Sequence, residues 1–280
     1  MLRPIYDRTN GLDGYVSLEV SPRLAHDARN TIAEARRLFK TLGRPNVMIK
    51  VPATPAGIPA IETLIGEGIN VNVTLIFSLS QYEAVTGAYL GGLEKLAVAG
   101  GELSQVASVA SFFVSRLDTK LDAALEKKGN RDLLGKIAIA NSKLVYERFQ
   151  AIFSGERWDK LAAQGARVQR PLWASTSTKN PAYPDTIYVD NLIGRHTVNT
   201  VPPATLDAIL DHGKVELTIT RDLDEARRQL ARLADLGINL DQATQELQDE
   251  GVDKFAASFD DLMSSIAEKR AQLLGKAQPA

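Results

Sequence analysis

No cysteine occurs in the 280 residues, which excludes a disulfide framework and any thiolate metal site. Histidine is scarce: His26, His196 and His212 are the three present, too scattered for a histidine-rich metal centre. Charge of one sign is lacking as well. The 33 basic and 34 acidic residues nearly cancel, so the footprint expected of a nucleic-acid or acidic-membrane binder is absent. No basic run or RNA-reading motif stands out. No apolar stretch is long enough to cross a bilayer, and the opening "MLRPIYDRTNGLDG" has no signal-peptide core. The expectation is a soluble, cytoplasmic protein with no nucleic-acid or membrane partner and no metal.

The length suffices for a sizeable core in one large α/β domain or two smaller ones. Short apolar, β-branched runs alternate with amphipathic stretches. The strand candidates are "GYVSLEVS" (14–21), "NVMIKVPA" (46–53), "INVNVTLIFS" (69–78), "VASVASFFVS" (106–115), "RVQRPLWAS" (167–175) and "TVNTVPP" (197–203). Between them, Ser21 and Pro22 read as the start of a helix that stops at Gly43. Thr54 and Pro55 repeat that logic, with Gly66 and Gly68 closing. A third helical run begins at Ser78, and a long helical block runs from Leu117 to about Phe153. From about Asp222 onward the chain reads as helical and charged, without a strand.

Strands alternating with helices imply βαβ units and a parallel sheet. Neither GxGxxG nor GxxxxGK[ST] occurs, so the nucleotide-binding versions lose ground to a (β/α) barrel. Such a barrel has eight strands, and six are visible.

A parallel strand covered on both faces should be apolar nearly throughout. These carry polar residues with a period of two: Ser17, Glu19 and Ser21 in the first, Asn70, Asn72 and Thr74 in the third. Each set therefore points one way. They lie towards the carboxyl ends of their strands, the rim where barrel active sites are built. Lys50 shares its face with Met48 and Pro52. It either snorkels to solvent or pairs with a carboxylate such as Glu19, or it is a Schiff-base amine. Attack on a ketone needs the neutral amine, which an unperturbed lysine offers about once in a few thousand near pH 7. Ile49 and Val51 would favour that form. Glu19 and Thr74 would supply the carboxylate and hydroxyl that imine chemistry needs. Because a buried cation is costly unless paired, the chemical reading moves ahead.

"VSLEV", "VMIKVPATPAGIPAI", "GINVNVTLIFSLSQY", "VASFFVSRLD", "WASTSTKNP" and "TVNTVPPATL" together resemble the transaldolase family, in the version found alone or fused to a sugar-phosphate isomerase. The resemblance runs in order from about residue 11 to the C-terminus. It implies a TIM (β/α)8 barrel of the class I aldolase type, treated as one domain over residues 1–280 with a helical extension at about 222–280. It implies a transferase of the pentose phosphate pathway that moves a dihydroxyacetone unit from a ketose phosphate to an aldose phosphate. Carried over by motif, Lys50 would form the Schiff base, while Glu19 and Thr74 would hold the catalytic water and pass protons. Asn72, with Ser111 beside it, would bind the dihydroxyacetone hydroxyls. Arg116 would bind the substrate phosphate, with Ser175 and Lys179 as candidates for a second phosphate site. The bland readings stay open for three of these: a small core residue for Ser111, a solvated helix-start arginine for Arg116, a loop lysine for Lys179. No cofactor is implied, since the iminium is itself the electron sink. Sugar phosphates are the implied partners, and a homodimer is left open.

The family's first strand, with its catalytic aspartate, and its second strand, with a "TSNP"-like turn, have no counterpart in these residues. The six strands would then be strands three to eight, and the start would be assigned late or the chain a fragment. The accompanying expectation is an open sheet, poor solubility and weak turnover. Two other readings stand beside transaldolase: a fructose-6-phosphate aldolase-like enzyme, and an inactive remnant that only binds sugar phosphate. The long helical C-terminal region favours the transferase over the aldolase.

Overall fold

Each of the six apolar runs becomes a strand of one sheet in the computed structural model, which describes residues 1–276. The strands are β1 (Val16–Glu19), β2 (Val47–Pro52), β3 (Val71–Ile76), β4 (Ser108–Phe113), β5 (Arg170–Ala174) and β6 (Val198–Asn199). They pair in chain order, all parallel. The sheet is curled rather than flat. Asn72 on β3 donates to the Ser17 hydroxyl on β1 at 2.9 Å, although β2 lies between them and flat neighbours sit about 4.8 Å apart per strand. Only convergence on the inner face brings those side chains together. The result is a six-strand parallel half-barrel.

Eleven α-helices are described. The first, α1 (Arg3–Arg8), precedes the sheet. The segment after it is pinned beneath β5, where Arg167 donates to the carbonyls of Gly11 (2.7 Å) and Asn10 (3.0 Å). α2 (Ala28–Leu42), α3 (Gly57–Gly66) and α4 (Leu79–Val98) follow β1, β2 and β3 in turn. On the outer face Ile61, Leu64 and Ile65 of α3 are fully buried, and each stabilises the fold by about 2 kcal/mol. α4 opens with a capping box, in which the Ser78 hydroxyl accepts from the Gln81 N–H and Gln81 reaches back to the Ser78 N–H.

Three helix boundaries differ from expectation. α3 starts at Gly57 rather than Pro55, with Ala56 at the cap position, although the Thr54 hydroxyl still accepts from the Gly57 N–H at 3.0 Å. Ser21 and Pro22 begin only a 3-10 turn over Pro22–Leu24. The α-helix starts at Ala28, because the Asp27 carboxylate accepts from the Asn30 N–H at 3.0 Å and so satisfies an otherwise free donor. The block after Leu117 is two helices, α5 (Ser115–Lys127) and α6 (Ile137–Ile152). Gly129 and Gly135, both in the left-handed region, turn the chain between them.

α7 (Glu156–Ala162), α8 (Ile187–Asn191) and α9 (Pro203–His212) complete the outer elements. The region beyond Asp222 forms α10 (Leu223–Asp235) and the 37-residue α11 (Leu240–Lys276). Residues 277–280 of the expected extension lie outside the described residues. β1 is exposed along its length, with Val16 and Leu18 open to solvent. Among the described residues no strand pairs with the free edge of β1 or of β6.

Asp118 on α5 ties three elements together. One carboxylate oxygen accepts from the Ala138 N–H of α6 (2.7 Å), the other from the Tyr188 hydroxyl of α8 (3.0 Å). Burial pushes this carboxyl up from 3.8 to about 7, because the charged form loses water. The folded state therefore holds its proton to higher pH than the unfolded chain. Stability present below about pH 4 is lost as the pH rises through about 7. Denaturant titrations should show a decline on the order of a few kcal/mol over that window. Asp118→Asn should flatten it, and an unchanged pH dependence in that variant would contradict the assignment.

Candidate active site

β1, β2 and β3 stand in register at their carboxyl ends. Glu19 sits opposite Lys50, and Lys50 opposite Asn72. Residues in register on neighbouring strands point the same way, so all three side chains enter the concave face. The Lys50 ammonium donates to the Glu19 carboxylate at 2.5 Å. The lysine side chain is 21% exposed and the glutamate 39%. The amine is therefore sheltered, and the carboxylate faces the open interior. The bland and the chemical readings of Lys50 meet here, since the residue that pairs with it is also the acid–base candidate.

Asn72 is locked from both ends. Its amide nitrogen donates to Ser17, and its carbonyl oxygen accepts from the Ser111 hydroxyl of β4 at 2.7 Å. Ser111 is buried, and its hydroxyl serves Asn72 rather than sitting idle in the core. Asn70, two residues earlier, does not join this rim. Its side chain donates to the carbonyls of Pro45 and Val47 and accepts from the Ala107 N–H. It laces the amino ends of β2, β3 and β4 instead.

Thr74 lies at a defect. Between Val73 and Ile76 the register with β4 shifts by one, so Thr74 and Leu75 together face one residue of β4. Leu75 carries a φ of +59°, a conformation that costs a leucine about 1–2 kcal/mol. The buried Thr74 hydroxyl has no hydrogen-bond partner among the described residues. It lines a cavity of about 20 Å³ together with Glu19 and Lys50. That is room for about one water molecule.

The roof over this cavity comes from α11. Val252 and Phe255 line it, and the Lys50 ammonium lies 5.2 Å from the Phe255 ring centre, within cation–π range. Gln248, one turn earlier, donates to the backbone carbonyls of Ala53 (3.0 Å) and Leu75 (2.9 Å). Neither Phe255 nor Gln248 was flagged by sequence pattern, because each reaches β2 and β3 from about 200 positions away.

Arg116, Ser175 and Lys179 form a second, looser group. Arg116 opens α5, and its guanidinium stacks on the Phe113 ring at 5.0 Å. Burial holds this guanidinium below the usual arginine range. Ser175, at a φ of +56° just past β5, places its hydroxyl 3.0 Å from that of Ser115, beside Arg116. The Ser115 N–H also donates to the Ser175 carbonyl. Lys179 is exposed and donates to Ser177 on its own loop. Within the described residues no group of three or more His, Cys, Asp or Glu side chains could hold a metal ion. No described helix is long and apolar enough to cross a membrane.

A sequence profile described as "Transaldolase/Fructose-6-phosphate aldolase" matches residues 1–266. A transaldolase of Streptomyces avermitilis is 54% identical over 271 residues, which cover 95% of this chain and 72% of the relative. A Parafrankia transaldolase is 53% identical over 96% of this chain and 74% of its own. One from Thermobifida fusca is 50% identical over 97% and 75%.

The Ser111→Ala variant isolates the clamp on Asn72. It should fold, lose about 1 kcal/mol, and raise the sugar-phosphate concentration needed for half-saturation by releasing Asn72. Thermal melts and a binding titration check this; unchanged binding would return Ser111 to a packing role.

Proposed function

The chain belongs to the transaldolase/fructose-6-phosphate aldolase family and functions as a transaldolase, and we propose that Lys50 is the amine that condenses with the ketose. The single observation that carries this is the register Glu19–Lys50–Asn72 on one concave face, with Glu19 2.5 Å from the amine. Glu19 takes the ammonium proton as Nζ attacks the C2 carbonyl of the ketose phosphate. It then returns a proton to the carbinolamine hydroxyl, which leaves as water. Thr74 and Glu19 hold that water in the small cavity, where it is positioned to hydrolyse the imine at the end of the cycle. The iminium draws electrons as the C3–C4 bond breaks. The resulting enamine adds to the carbonyl carbon of the acceptor aldose phosphate.

Asn72, oriented by Ser17 and Ser111, donates its remaining amide hydrogen to a hydroxyl of the dihydroxyacetone unit. Arg116 binds the substrate phosphate at the start of α5, where helix polarity also favours an anion. Ser175 completes that site with its hydroxyl, and Lys179 adds charge from the adjoining loop. Sugar phosphates are the partners and the cytoplasm is the location in this reading, with a homodimer left open.

The same proposal treats residues 1–280 as one barrel domain with a helical extension from about 222. The six strands are then six of a barrel's eight, which would close between β6 and β1. Among the described residues no further strand pairs with β1 or β6, which supports this. The group that accepts the C4 hydroxyl proton would lie in the closing part. A chain that makes the imine yet turns over poorly is the second reading, and those open edges favour it. The 37-residue α11 over the lysine favours transfer over the fructose-6-phosphate aldolase alternative, because it shields the enamine from water.

Sodium borohydride added with fructose 6-phosphate should leave a stable covalent adduct on the wild-type chain and none on Lys50→Ala. An undiminished adduct in that variant would overturn the assignment. Arg116→Ala should raise KM for phosphorylated donors about ten- to hundredfold, as loss of a charge-assisted phosphate contact implies, with kcat changed far less. Assay with fructose 6-phosphate and erythrose 4-phosphate separates the fold readings. Adduct without turnover fits six strands of eight, and full turnover would show that these strands suffice.

A further inference from the structure

We propose that Gln248 of α11 is a positioning residue, which fixes the Leu75 bulge and thereby aims the Thr74 hydroxyl into the cavity shared with Glu19 and Lys50. This rests on the reading of Lys50 as the imine-forming amine.

Gln248 is buried, and its side-chain nitrogen spends both hydrogens on backbone carbonyls: Ala53, directly after β2, and Leu75, within β3. Those two carbonyls sit at the ends of the strand that carries Lys50 and the strand that carries Thr74. The strands are already joined there, since the Ala53 N–H donates to the Thr74 carbonyl at 2.8 Å. Gln248 closes the junction from above.

Leu75 needs such an anchor. A leucine at a φ of +59° persists only where its surroundings over-determine it. α11 supplies two restraints on that one residue. The first is the amide bond to its carbonyl. The second is the bare face of Gly251, where an added Cβ would lie 2.7 Å from the Leu75 side chain. Release of the bulge would move the Thr74–Leu75 peptide, and with it the position from which the Thr74 side chain enters the cavity. The Thr74 hydroxyl has no hydrogen-bond partner among the described residues to hold it. An amide suits this position because it offers two donors to two acceptors without introducing charge. A leucine of similar size would take both donors away from those carbonyls.

The test compares wild type, Gln248→Leu and Gln248→Glu by the rate at which borohydride-trappable adduct forms with fructose 6-phosphate, and by the half-saturating concentration. In Gln248→Leu the trapping rate should fall about ten- to hundredfold, as a displaced catalytic group implies, while half-saturation moves less than about twofold. In Gln248→Glu the rate relative to wild type should be low at pH 8. It should recover towards pH 6, where the buried carboxyl takes up a proton and regains one donor. That recovery keeps the test decisive if Gln248→Leu fails to fold. A variant with a lower Tm but wild-type trapping kinetics below its melt would overturn the proposal and leave Gln248 a stabilising residue only. If the wild-type chain forms no adduct, or Lys50→Ala still forms one, the reading of Lys50 has failed instead and takes this inference with it.

Discussion

The ion pair between Lys50 and Glu19 is the contact on which the rest of the site depends. It crosses two adjacent parallel strands at matching register, so its geometry is set by backbone pairing rather than by flexible side chains. A partly exposed pair of this kind adds little to stability. Its worth in the proposed mechanism is positional: one strand would offer the nucleophile, and its neighbour the base at hydrogen-bonding distance. The curl of the sheet does the remaining work, folding Asn72 and Ser17 towards each other across β2 and giving the pair a concave floor.

Two of the five described non-glycine residues with left-handed backbone lie where chemistry is expected. Leu75 adjoins Thr74, and Ser175 adjoins the Arg116 group; both hold left-handed backbone that non-glycine residues seldom adopt. At Leu75 the compensating contacts come from α11, which also roofs Lys50 with Phe255. The helical C-terminal region therefore serves the site directly. Its anchoring ion pairs, Arg23 with Asp260 and Lys120 with Glu246 and Glu250, join it to both sides of the sheet's rim.

Much of this was legible in the sequence, for physical reasons that can be named. All six strands were visible because β-branched runs bounded by turn residues have few other structural solutions. The inward direction of Glu19, Lys50 and Asn72 followed from the two-residue period of a strand. That same period misled at Asn70, which shares the alternation but lies at the opposite end of β3, where it satisfies backbone groups. The start of α2 was misplaced because Ser21 and Pro22 form a local turn, and the stronger Asp27 cap lies six residues on. The bulge at Thr74 and Leu75 left no trace, since a register shift depends on the partner strand. Gln248 and Phe255 were invisible for a related reason: on a long, mostly polar helix nothing marks which turn meets a strand end far away in the chain.

The central claim is that the Lys50 amine bonds to the carbonyl carbon of a keto sugar while Glu19 handles the proton. A crystal structure of the protein soaked with fructose 6-phosphate tests it most directly. The account predicts continuous density from Lys50 Nζ to C2 of the sugar, with the Glu19 carboxylate and the Thr74 hydroxyl around that bond. Sugar bound with C2 remote from Nζ, or joined to another lysine, would contradict it.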